Sequence, residues 1–134
     1  MTTILKQVDI DAPAGAVWDA LADFGALHTR VAPGFVTQTV LEPGARVVTF
    51  GNGVTARELF LGADAPAMRI AYALQMDGLQ HHNASCQVVD LGAGRSRLIW
   101  IADVLPDEMA VAIGAMMDDG IPIAARTLGR VPAS

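Results

Sequence analysis

Residues 107–128, DEMAVAIGAMMDDGIPIAARTL, read as one helix of about 22 residues, roughly 33 Å long at about 1.5 Å per residue. Met109, Ile113, Met116, Met117, Gly120 and Ala124 fall on one face, and Glu108, Asp119 and Arg126 on the other. Such a helix needs a broad apolar surface on one side and water on the other, and its length suits spanning a sheet. Pro122 removes a backbone hydrogen bond and crowds the preceding turn, which predicts a bend.

The rest of the chain reads as that surface. TILKQVDI alternates, with Ile4, Val8 and Ile10 on one side and Gln7 and Asp9 on the other, as a half-buried strand does. DAPAGAVWDALADF follows as a helix, with Pro13 in its first turn, Val17, Leu21 and Phe24 at helical spacing, and Gly25 as its stop. A second short helix is expected in ALHTRVAPG. Segments 35–41, 46–50 and 54–61, then MRIAYALQM, 80–91 and RSRLIWIADVL, read as strands, separated by EPGA, GNG and GAG. Seven strands joined mostly by short turns predict a largely antiparallel sheet in an α+β fold.

The chain of 134 residues is long enough to bury one core without disulfides or a structural metal, so residues 1–134 are expected to be a single domain. A net charge of −5, with the basic residues scattered singly, offers no stripe for a phosphate backbone or an anionic membrane, which argues against a nucleic-acid partner. No apolar run approaches the roughly 20 residues of a membrane-spanning helix, so no membrane insertion is expected. MTTILKQ lacks the regions of a secretory signal, and the single cysteine suits a reducing compartment; both point to the cytoplasm.

LQHHNASCQVV, residues 79–89, gathers two histidines, an asparagine and the only cysteine. Strand alternation puts His82, Ala84, Cys86 and Val88 on an inner face, away from His81, Asn83, Ser85 and Gln87. His82 and Cys86 are then about 13 Å apart, too far for a shared ion or a direct proton transfer. No HxH, CxxC or HExxH spacing supplies zinc ligands, so neither a metal nor a cofactor is expected. Between apolar neighbours, Cys86 reads as an inert small hydrophobe in a pocket wall. His82 either orients a ligand or moves a proton, or it is bonded to strand backbone at the sheet's end. In MRIAYALQM, Tyr72 shares the inner face with Ile70 and Leu74. The alternation of RSRLIWIA leaves the choice between Trp100 and Ile99 open, and that of VTARELFL leaves open whether Glu58 and Phe60 or Arg57 and Leu59 face inward. An inward Glu58 in an apolar cavity must be hydrogen-bonded, paired or protonated.

The order of elements, together with APAGAVWDALADF, PG, the Gly and Arg of GARVVTF, GNG, RELFLGAD, IAYAL and RLIW six residues before a proline, resembles the START or birch-pollen-allergen superfamily over nearly the whole chain. Within it the chain is most similar to bacterial polyketide cyclase/dehydrase-like (SRPBCC) proteins, and more remotely to plant hormone receptors of the same fold. The resemblance implies a helix-grip fold: a curved seven-stranded antiparallel sheet wrapped around the long C-terminal helix, with two short helices after the first strand and a hydrophobic pocket between sheet and helix. It favours Trp100 inward. It also favours Glu58, since in the hormone-receptor branch an acidic residue at the matching position meets ligand. It puts His28 at the pocket entrance, where that branch has a lysine contacting ligand carboxylate; the change to histidine weakens an anion anchor.

The leading expectation is therefore a protein that binds a small apolar or aromatic molecule, lipid-like or polyketide-like. The expected contacts are His28, Glu58, Phe60, Tyr72, His82, Cys86, Trp100, Met109, Ile113, Met116 and Met117. Members of the superfamily include enzymes, so a polyketide cyclase- or dehydratase-like activity with Glu58 or His82 as proton carrier is the first alternative. A protein-partner-binding module is the second. A homodimer is compatible with either.

Overall fold

The structure is a computed structural model that describes residues 1–129. Strand β1 (Thr2–Ile10) leads to helix α1 (Ala14–Ala22) and a single π-helical turn (Leu27–Val31). Six strands follow: β2 (Val36–Glu42), β3 (Ala45–Phe50), β4 (Thr55–Asp64), β5 (Arg69–Gln75), β6 (His81–Gly92) and β7 (Arg95–Leu105). Helix α2 (Met109–Leu128) closes the described chain. The sheet order is β1-β7-β6-β5-β4-β3-β2, antiparallel at every step. Consecutive strands from β2 to β7 are neighbours because short turns join them, while the α1 segment carries the chain from β1 to the opposite edge. The seven strands wrap α2, the helix-grip architecture that the resemblance implies. No helix among the described residues is long and apolar enough to cross a membrane.

Local chemistry moves several boundaries. Pro13 stays extended (φ −61°, ψ 144°) and precedes α1, its carbonyl accepting from the Ala16 and Val17 amides, instead of occupying the first turn. The helix stops at Ala22, before Gly25. At Gly25 the chain passes so close to β2 that a Cβ would lie 2.8 Å from Leu41 Cδ1, so this glycine serves a close approach and not a helix stop. Helix α2 starts at Met109 because Asp107 stays in the preceding turn, where its carboxylate takes the N-terminal ammonium at 3.1 Å and the Thr2 hydroxyl at 2.9 Å. Pro122 lies on the exposed side of α2, which continues through it to Leu128. On β1, Lys6 reaches the same helix through Asp118 at 2.9 Å.

In β4 the pairing shifts between Phe60↔Tyr72 and Gly62↔Ala71, so Leu61 is the extra residue of a bulge. Before the bulge the register is regular. Ala56 and Glu58 are buried on the inner face, while Arg57 turns outward to Glu42 at 3.2 Å and Gln75 at 3.4 Å. The alternation that could not choose between Glu58 and Arg57 is thus decided for Glu58.

The core has two clusters. One gathers Ile10, Val17, Leu21, Val88, Leu98 and Leu128; the other gathers Val48, Leu74, Val104, Ile113 and Met117. Leu27, Phe35, Cys86 and Trp100 pack against both.

Candidate functional site

A cavity of about 90 Å³ lies where the two clusters meet, enclosed by α2, residues 21–36 and the inner face of β3–β7. Its walls are mostly aliphatic, aromatic and thioether groups, and its polar groups gather around Tyr72. The Trp100 indole N–H donates to Tyr72 Oη at 2.9 Å, and the His82 ring centroid lies 5.9 Å from that of Tyr72. The Arg46 guanidinium lies 5.5 Å from the Tyr72 ring and 4.0 Å from the Phe24 ring.

Arg46 and Glu58 form a buried ion pair. Arg46 and Glu58 face each other across β3 and β4; Glu58 Oε1 accepts from Arg46 Nε at 2.7 Å, and Nη2 lies 2.6 Å from the same oxygen. Arg46 Nη1 donates to the Phe24 carbonyl at 3.1 Å. The pair answers the requirement that an inward carboxylate be satisfied. It leaves Glu58 Oε2 as an acceptor without a partner among the described residues.

His82 is only 6% exposed, and its Nδ1 accepts from the Leu74 backbone N–H at 3.0 Å. The β5–β6 ladder ends at Tyr72↔Ala84, so the ring takes over a donor that the next backbone pair would have used. Burial, followed by the neighbouring His81, lowers the imidazole pKa to about 4, so the ring is neutral at neutral pH. Burial, followed by the Glu58 charge, raises the Tyr72 phenol well above its ordinary range. Burial likewise pushes the Cys86 thiol up to about 12. Against an ordinary value of 9.0, that lowers the thiolate fraction near pH 8 on the order of a thousandfold. Cys86 is therefore expected to resist iodoacetamide in the folded protein and react on unfolding; comparable rates in the two states, followed by mass spectrometry, would contradict this.

Of the residues singled out from the sequence, Glu58, Tyr72, His82, Cys86, Trp100, Ile113, Met116 and Met117 line the cavity. Three do not. Phe60 is 43% exposed at the rim and packs edge-to-face on Phe24, centroids 5.3 Å apart; Phe24 occupies the interior position instead. Met109 falls in the first turn of α2, over the β5–β6 turn, where its Sδ would lie 3.3 Å from a Cβ built on Gly78. In the π-helical turn, Leu27 and Val31 reach the cavity and His28 does not; its Nδ1 is buried without a partner. Sequence reasoning missed Arg46. The alternation of ARVVTF places Arg46, Val48 and Phe50 on one face, and Val48 and Phe50 are buried, so the signal was present in β3. The described residues contain no group of three or more His, Cys, Asp or Glu side chains placed to hold a metal ion.

Comparison with solved structures returns the same fold. A structure from Bacillus thuringiensis superposes with a TM-score of 0.84 at 14% identity, covering 95% of this chain and 98% of the other. A solution structure from Thermobifida fusca is 26% identical, with a TM-score of 0.78 and coverage of 99% and 97%. The Zhui aromatase/cyclase from Streptomyces sp. R1128 is 21% identical, with a TM-score of 0.69 and coverage of 95% and 90%. No curated protein matches the sequence. The family described as polyketide cyclase / dehydrase and lipid transport matches residues 1–129, which hold the described strands and helices and the cavity walls, and the chain belongs to that family.

Proposed function

We propose that the cavity binds a small, mostly apolar or aromatic molecule, lipid-like or polyketide-like, oriented by Tyr72, His82 and Glu58. The observation that carries this reading is the division of the cavity: apolar walls from sheet, helix and π-helical turn, with polar groups concentrated around one tyrosine. Such a wall burns little specificity on the body of a ligand and fixes its orientation through a few directed hydrogen bonds. The family's description, which joins polyketide cyclases with lipid transport, supports the same class of occupant.

The free volume of about 90 Å³ is below the roughly 150 Å³ of an engineered cavity that admits benzene, so a bicyclic ligand must displace side chains. Met116 and Met117 are suited to that, since unbranched thioethers change rotamer at small cost. Binding is favoured over proton abstraction by His82 because its Nδ1 lone pair is taken up by the Leu74 amide, which leaves the neutral ring only an N–H to offer a ligand. Titrating the ¹⁵N-labelled protein with 2-naphthol is expected to give saturable one-to-one shifts centred on Leu74, Cys86, Ile113 and Met117. Shifts confined to the outer face around Arg69 and Asp103, or none up to millimolar probe, would overturn the reading.

A further inference from the structure

The hydrogen-bond sense of the cavity is set by two contacts between residues of its own wall. A backbone N–H can only donate, so His82 Nδ1, 3.0 Å from the Leu74 nitrogen, must present a lone pair. In a neutral imidazole the proton then resides on Nε2, which has no partner among the described residues. The second contact is the Trp100 N–H bond to Tyr72 Oη at 2.9 Å. Indole is a donor only, so the phenol oxygen accepts there and its own proton remains to be given; the described residues provide no acceptor for it.

We propose that His82 and Tyr72 are the specificity determinants of the cavity, a pair of fixed donors that selects ligands bearing an acceptor oxygen, with Glu58 Oε2 left to accept from a second, donor group where the ligand carries one. The inference rests on the binding reading above and deepens it. The selected group is a ring-attached carbonyl or a similar oxygen without a proton. A carboxylate is a poor match: the one guanidinium in the wall is already committed to Glu58 and to the Phe24 carbonyl, and Glu58 would oppose a second anion. A hydrocarbon of the same shape leaves both donors buried and unpaired, which penalises it relative to the carbonyl compound. His82 therefore discriminates through a tautomer imposed by the sheet, not through charge.

The test uses the whole chain and three probes of one ring system: 1-indanone, indane and 1-indane carboxylate. Affinities are read from ¹⁵N amide shifts, and the His82 tautomer from long-range ¹H–¹⁵N correlation at pH 7. The expected result is a ring proton on Nε2, with 1-indanone binding about tenfold more tightly than indane and 1-indane carboxylate weakest. Tyr72→Phe, which keeps the ring, is expected to weaken 1-indanone about three- to tenfold and leave indane unchanged. A proton on Nδ1, or equal affinities for 1-indanone and indane, overturns the donor assignment while the binding reading stands. Binding of none of the probes overturns the cavity reading and this inference with it. The tautomer measurement needs no variant, so a His82 substitution that fails to fold does not remove the test.

Discussion

Glu58→Ala is expected to lower the unfolding free energy by about 3–5 kcal/mol, seen as a fall in the urea midpoint with little change in slope. The side chains of Arg46 and Glu58 are 8% and 6% exposed, so removing the carboxylate strands a guanidinium that is almost wholly withdrawn from bulk water. The remaining partners of Arg46, the Phe24 carbonyl and ring, carry no opposing charge. A double variant, Arg46→Met with Glu58→Leu, removes both charges and is expected to lose much less, since apolar packing of similar volume often matches a buried pair. The contrast separates the cost of an orphaned charge from the worth of the pair. A loss below about 1 kcal/mol for Glu58→Ala would mean that water solvates Arg46 through the cavity, and the account of a closed, dry ion pair would fail.

The second large effect is acid destabilisation through His82. Its pKa is about 4 in the folded protein against an ordinary value of 6.5, so between these values the unfolded chain binds a proton that the folded chain refuses. Stability contributed by the neutral ring is therefore fully present above about pH 7 and lost as the pH falls towards 4. The loss is about 2 kcal/mol between pH 7 and pH 5 and about 3 kcal/mol by pH 4. Asp9 and Asp107, whose carboxyl pKa values are lowered by Arg97 and by the N-terminal ammonium respectively, add their effect only below the ordinary aspartate value of 3.8, outside most of this window. Urea unfolding at pH 7, 6 and 5 should show the decline in the wild type and a flatter profile in His82→Gln. If that variant does not fold, direct NMR titration of His82 serves: an imidazole that protonates near pH 6.5 in the native state would remove the cause.

How far the sequence carried the reading can be judged from particular elements. The strands were legible because alternation marks a sheet with one face buried, as in MRIAYALQM, where Ile70, Tyr72 and Leu74 are buried. Helix α2 was legible from its apolar face, and the order of elements led to the family. His28, Phe60 and Met109 lie off the cavity walls, each where a regular repeat gives out: a π-helical turn, the residue before a bulge, and the first residue of α2. By itself, then, the sequence determined the elements, their order and which faces of β5, β6 and α2 are apolar, since those properties repeat at fixed spacing along one segment. Only the tertiary structure decided that Glu58 faces inward to meet Arg46, that Tyr72 accepts from Trp100 and that the Leu74 amide donates to the His82 ring. Each of these joins separate strands, and polar partners across strands are chosen by register, bulges and burial, which no single segment contains.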